Sequence, residues 1–354
     1  MKKYRYAPVV GALAVVAITE AILRLGFGFC DALLYQSSDQ YEYIAQPNQE
    51  RHRFGVRLRT NSYSQRSEEP DSTKTIVLGL GDSILFGGGW MDHDSLATTL
   101  FSDETGMQML NISSGSWGPD NCAAYLKEKG TFGARAMVLV CSSHDAYDAM
   151  SFAPVVGVWP NYPDRQYRLA IWEAIDRYLI PYVKMKTARK QYADPDVEID
   201  KKAADRQVVK KSPYFVKGFD KLKQMADSVS IPMYIYLHAE SGEVQQGRYN
   251  ELGQQILQWA DSADVKLING IKEGERLEMY HDAIHLNEQG QRHLADVLKK
   301  YVNVNENGNV NGNENDTRSK LRYDNKDSSL LFTVYSLELK ENEDCHTTTG
   351  DTTL

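Results

Sequence analysis

Five short apolar runs punctuate the middle of the chain: 75–80 (TIVLGL), 107–112, 136–141 (AMVLVC), 231–237 (IPMYIYL) and 265–268. Each is rich in β-branched or bulky residues and too short for a helix, the pattern of a strand buried on both faces of a parallel sheet. Helical periodicity fills the gaps at 94–102, 121–129 and 214–228, and returns once more at 288–301. Strands alternating with helices predict an α/β domain in which one parallel sheet is covered on both sides.

The flanks follow other patterns. Lys2, Lys3 and Arg5 precede an apolar run that starts at Ala7 and continues, past Glu20 and Arg24, to about Phe29. Its length approaches the roughly 20 residues that a bilayer-spanning helix needs. Positive charge ahead of an apolar stretch is the mark of a secretion signal or signal anchor. No small-x-small cleavage site follows it, so 1–30 is expected to be an uncleaved anchor, with a cleaved signal peptide as the alternative. The lysines on the short side place the rest of the chain outside the cytoplasm. Glu20 and Arg24, four apart, fit a pair on one helix face. Residues 31–72 read as a polar and aromatic lead-in wrapped on the main domain. A long insertion, 151–212, separates the third and fourth strands. Its front half is rich in Pro, Trp and Tyr, and its back half is charged and helical. A segment of that length is either a functional lid or a flap that only packs. Beyond residue 302 the chain becomes an Asn, Gly and Glu tract, which reads as a disordered tail.

Composition narrows the function classes. The formal net charge of −8 and the scattered basic residues give no stripe for a nucleic-acid backbone. Cys30, Cys122, Cys141 and Cys345 form no C-x-x-C pair, so neither a zinc site nor a disulfide framework is expected. Cys141 lies inside an apolar strand, where a buried free thiol is the common state.

The candidate chemistry begins at Gly79-Leu80-Gly81-Asp82-Ser83, immediately after the first strand. In a parallel sheet, ligands bind beyond the carboxyl ends of the strands. A serine turning there into a helix faces a cleft and has backbone N–H groups beside it for a developing oxyanion. Gly79 and Gly81 permit a tight turn, and Gly87, Gly88 and Gly89 leave room next to it. Taken alone, the serine could equally be a helix cap. The second element is His281-Asp282-Ala283-Ile284-His285, between the last strand and the last helix. Asp282 and His285 are three apart in a loop, close enough for the carboxylate to hold one imidazole nitrogen while the other faces Ser83. Asp282 would fix the tautomer of His285, and His285 would take the proton of Ser83.

In these blocks the chain resembles the SGNH (GDSL-type) hydrolases over roughly residues 73–302. Gly81-Asp82-Ser83 matches the family's first block. Asp282 and His285, followed by Leu286, Asn287 and Gly290, match its last. The resemblance implies a flavodoxin-like three-layer α/β/α sandwich with a five-stranded parallel sheet in the order 2-1-3-4-5, a serine esterase activity without a cofactor or metal, and catalytic residues Ser83, Asp282 and His285. It also implies an oxyanion hole built from Ser83, a glycine after the second strand, and an asparagine after the third. Gly115 is the first choice for the glycine and Ser116 the second. At the asparagine position this chain has His144, in Ser142-Ser143-His144-Asp145, a departure that leaves the number of oxyanion donors open. Asn121 is a replacement donor or a helix cap. Asp145, and His238 at the end of the fourth strand, are further residues that could touch substrate, although a structural role suits His238 equally.

The leading expectation is an extracytoplasmic, membrane-anchored ester hydrolase that removes O-acyl, notably acetyl, groups from a carbohydrate through an acyl-enzyme. An O-acyltransferase with the same triad and a non-catalytic carbohydrate-binding scaffold are the alternatives.

Overall fold

The computed structural model describes residues 6–184 and 212–302. The expected tail, Cys345 and the back half of the insertion lie outside the described residues. The chain opens with helix α1, Ala7–Phe27, which is capped by Gly28 in the left-handed conformation. A side chain at Gly28 would run into the backbone of His52 at 2.0 Å, so only glycine lets α1 end against the next element.

The lead-in is more ordered than the sequence suggests. It forms two antiparallel hairpins: β1 (Tyr35–Ser38) with β2 (Glu42–Ala45), and β3 (Gln49–Arg53) with β4 (Val56–Thr60). Their strands are four or five residues long and three carry charges, so alternation is too brief to register as a pattern. They are held by long-range contacts instead. Leu33, Tyr35, Ala45 and Leu58 form a small core with Phe86, and the Trp117 indole donates to the Tyr43 carbonyl at 2.8 Å.

The central sheet contains β5 (Ile76–Gly81), β6 (Gln108–Ser113), β7 (Ala136–Ser142), β8 (Met233–His238) and β9 (Lys266–Asn269). All pairings are parallel and the order is β6-β5-β7-β8-β9. This is the flavodoxin-like order expected, with each strand within two residues of its apolar run. Alternation along each strand separates two cores. Ile76, Leu78, Leu80, Met137, Leu139, Cys141, Ile235 and Leu237 face one side. There they meet α4 (Pro119–Lys129), α6 (Gly218–Ser228) and α8 (Glu251–Ser262) through residues such as Tyr125, Phe219 and Ile256. Val77, Val138, Val140 and Tyr236 face the other side, against α2 (Ser83–Phe86), α3 (Ala97–Thr105) and α9 (Glu288–Tyr301) through Leu85, Phe101, Leu294 and Leu298. A sheet buried on both faces explains why its strands read as unbroken apolar runs.

Within the insertion, helix α5 starts at Ala170–Ala174 and continues through a π-helical turn, Ile175–Leu179. A short helix α7, Ser241–Gln246, follows β8. Cys30, Cys122 and Cys141 are free thiols.

Candidate active site

β5 ends at Gly81, and the chain turns at once into α2, of which Ser83 is the first residue. A Cβ at Gly81 would stand 2.9 Å from the Val140 carbonyl of the neighbouring strand, so the turn needs glycine to pass that close. Asp82 caps α2, its carboxylate accepting from the Ile84 amide at 2.8 Å. Capping thus falls to Asp82 and not to the serine, whose hydroxyl points into the cleft.

The Ser83 hydroxyl lies 3.0 Å from Nε2 of His285. Nδ1 of His285 lies 2.8 Å from Asp282 Oδ2. With Nδ1–H donated to the carboxylate, Nε2 is left to accept the serine proton. The other oxygen of Asp282 accepts the amides of Ile284 and His285, both at 2.9 Å. Partial burial of Asp282 works against its charge, but these two amides and the imidazole outweigh it and hold the carboxyl below its usual range. The carboxylate is therefore ionised and oriented. The loop is closed by the His281 amide donating to the His285 carbonyl at 2.8 Å. It is braced by Trp90, which stacks on His281 at 4.5 Å and presents itself edge-on to His285 at 5.2 Å. The room expected beside Gly87-Gly88-Gly89 is occupied by that indole: a Cβ on Gly88 would meet it at 2.4 Å.

Gly115 and Ser116 line the same cleft as Ser83 and His285. Gly115 is fixed by its carbonyl, which accepts from the Tyr43 hydroxyl at 2.8 Å. A side chain there would stand 2.7 Å from the Tyr162 hydroxyl. Ser116 adopts φ 57°, a conformation that turns the chain sharply after β6. The cleft measures about 520 Å³ and has aromatic walls, with Tyr35, Tyr43, Phe86, Trp90, Trp159 and Tyr162 among its lining.

The remaining sequence candidates are placed elsewhere. Asn121 is buried inside the fold and caps α4: its Oδ1 accepts from the Gly118 amide at 3.0 Å, and its amide donates to the Tyr41 carbonyl and to Glu42. The cap reading therefore describes it, and the replacement-donor reading does not. His238 is fully buried, with Nδ1 2.8 Å from Glu275 and Nε2 2.7 Å from the Ile284 carbonyl. Both ring nitrogens are used inside the protein, so this residue is a strut beneath the Asp282–His285 loop and not a substrate contact. Burial there opposes protonation, but Glu275 outweighs it and raises the imidazole above its ordinary value. Asp145 is also buried, accepting from the Ser142 amide at 2.7 Å, and does not line the cleft.

His144 differs from an asparagine in charge as well as shape. Its Nδ1 lies 3.3 Å from Glu240, and its Nε2 lies 4.0 Å from Asp82. Burial pushes the imidazole down, but Asp145, Glu240 and Asp82 together outweigh that and lift it to about 10. Burial also lifts Asp82 and Asp145 to about 6. Ligand atoms of Asp82, His144 and Asp145 all lie within 4.8 Å of one another. The imidazolium itself supplies the positive charge that such a cluster calls for. His144 sits behind the nucleophile's turn and is not among the residues lining the cleft.

Arg66 was not visible as a site residue. It is wholly buried and donates to the carbonyls of Phe86, Gly88 and Met91, tying down the loop that follows α2. Burial lowers it to about 10. It lies in the lead-in, where nothing in the sequence ties it to the glycines 20 positions onward.

No family model matches the sequence, and no curated protein matches it. Solved structures do resemble the fold. A member of the lipolytic G-D-S-L family from Veillonella parvula is 12% identical, with 64% of this chain and 97% of that one covered and a TM-score of 0.34. A psychrotrophic esterase from Pseudoalteromonas is 12% identical, with 64% and 96% covered and a TM-score of 0.36. An acetyl-xylooligosaccharide esterase from Geobacillus is 13% identical, with 64% and 93% covered and a TM-score of 0.32. Likeness this distant assigns neither activity nor substrate to this chain.

Proposed function

We propose that the protein is a membrane-attached serine ester hydrolase of the SGNH type, with Ser83 as nucleophile, His285 as general base and Asp282 as the residue that orients the base. The observation that carries this reading is the continuous hydrogen-bonded path from Ser83 through His285 to an ionised Asp282 at the carboxyl edge of the sheet. In the reaction, Ser83 Oγ attacks the ester carbonyl while its proton passes to His285 Nε2. The tetrahedral intermediate collapses, and His285 returns the proton to the departing alkoxide, leaving an acyl-serine. Water, activated by the same imidazole, then releases the acid and restores the hydroxyl. The amides of Ser83 and Gly115 are the assigned oxyanion donors, since both residues border the cleft at the serine.

The substrate class is an O-acylated carbohydrate. The aromatic walls of the cleft suit stacking on sugar faces, and its size fits a short acyl group plus a sugar ring. Helix α1, whose 8–27 segment has a mean hydropathy of 1.9 and is unburied, is long and apolar enough to cross a membrane. We assign it as the anchor, with the catalytic domain on the extracytoplasmic side.

A fluorophosphonate probe should label the protein at Ser83, and Ser83→Ala should abolish labelling. Asp282→Asn should slow ester hydrolysis by roughly four orders of magnitude. No labelling of the native protein would falsify the enzyme reading. Acetate release from acetylated oligosaccharides, measured with and without an acceptor sugar, separates hydrolysis from transfer: acetate recovered only on the acceptor overturns the hydrolase.

A further inference from the structure

Helix α5 and its π-helical continuation are inverted relative to a helix on a water-exposed surface. The face turned into the protein carries Glu173, fully buried, and Arg177, whose side chain is 12% exposed. These two are paired with each other at 3.3 Å, and Glu173 also holds Arg53 at 2.7 Å and the Cys30 amide at 2.5 Å. The face turned outward carries Leu169 (58% exposed), Trp172 (54%) and Leu179 (52%), with one charge among them, Asp176, which accepts from the Tyr167 hydroxyl. A helix packed on a domain in water shows the opposite arrangement, apolar stripe inward and charges outward. An ion pair inside and a mainly apolar outer face, with its one charge about 6 residues up from the helix start and so nearer the membrane surface, is the arrangement that suits a hydrocarbon surrounding.

The position of this helix supports the same conclusion. Glu20 lies within α1, about 10 Å before its end at 1.5 Å per residue. Its carboxylate accepts the amides of Ala170 at 2.8 Å and Ile171 at 3.0 Å, the first free N–H groups of α5. Arg24 bonds Glu20 at 2.6 Å and donates to the Arg168 carbonyl. The two polar residues that interrupt the apolar run are thus the clamp for a second helix. Just past the end of α1 the contacts move further along α5: Cys30 meets Glu173, and the Phe29 ring meets Tyr178 at 5.7 Å. The helices therefore run side by side in the same direction, and the start of α5 lies at the depth of Glu20.

We infer that the outer face of α5, marked by Leu169, Trp172 and Leu179, is inserted into the lipid bilayer beside α1 as a second membrane-contacting element. The inference rests on α1 being a membrane anchor. It has a consequence for the active site. The cleft that begins at Ser83 and His285 also borders Arg53, Phe54, Arg177 and Tyr178, on and around this helix, so it lies open at the membrane surface.

The full chain, reconstituted in phosphatidylcholine vesicles containing brominated acyl chains, tests this by tryptophan quenching. The native protein should be quenched, and Trp172→Phe should lose at least half of that quenching. Leu179→Asp, with Trp172 in place, should also reduce it. Flotation of the same vesicles reads the anchor independently. If the protein floats and Trp172→Phe is quenched as strongly as the native protein, the inference falls and the anchor stands. If the protein does not float, both fall. Efficient cross-linking of Trp172→Cys between copies in the vesicles, with no Trp172-dependent quenching, overturns it in favour of a self-association surface.

Discussion

His144 illustrates how one residue can change the character of a site while keeping its position. Three carboxylates surround it, and its folded value, about 10, stands above the 6.5 of an unfolded chain. A group whose folded pKa is raised binds its proton more tightly in the native state. Its contribution to stability is therefore complete below about pH 6.5 and is lost as pH rises through about 10. Thermal melts of the native protein should fall across that interval, and His144→Gln should flatten the fall; an unchanged slope would contradict the imidazolium. Arg66 makes a different single-residue prediction. Arg66→Met should destabilise the fold by about 3 kcal/mol, because buried carbonyls lose charged donors. Urea unfolding measures this. Activity should fall with stability, since the loop that Arg66 ties down also carries Trp90, the brace on His285.

At the scale of elements, the clamp between α1 and α5 is the feature that hydropathy alone misreads. Glu20 and Arg24 look like interruptions of a span, and their i, i+4 spacing suggests a pair. The pair is present at 2.6 Å, but the carboxylate also caps a helix that starts 150 residues later. Glu20→Ala should leave the central sheet intact and raise amide hydrogen exchange across 170–180 by an order of magnitude or more. Unchanged protection there would show that α5 holds its position without the cap. The insertion was legible as a lid or a flap. Its described part contributes a cleft wall through Val155, Trp159 and Tyr162, and a clamp through Ala170 and Glu173. Neither set of partners could be read locally, because Ser83 lies more than 70 residues before the cleft wall and Glu20 and Arg53 more than 100 before the clamp.

For the molecule as a whole, the parallel sheet explains why residues 202 positions apart meet. Ser83 leaves the carboxyl end of β5, and His285 lies in the loop that follows β9 at the far edge of the sheet. That loop folds back over the edge, pinned by His238 at the end of β8 and stacked under Trp90. The three oriented side chains therefore depend on strand order, and on α2, which Ser83 opens. Under the proposed membrane attachment, the apolar exterior of α1 and α5 would add a direction to this layout and put the cleft at the bilayer side of the domain.

The sequence by itself determined the sheet, its order and the identity of the triad candidates. Strand burial and the G-D-S and D-x-x-H blocks are local patterns, and the matching blocks tie them to one fold. Only the tertiary structure decided which polar residues are struts and which face the cleft. His238, Asn121 and Asp145 were candidates for the cleft, the first two with structural readings beside them, but His238 and Asn121 bond partners far along the chain and Asp145 bonds the nearby Ser142 amide. The hairpins of the lead-in, Arg66 and the inverted face of α5 belong to the same class. Each is defined by what it packs against, and a side chain's partner tens of residues away leaves no periodicity in the sequence around it.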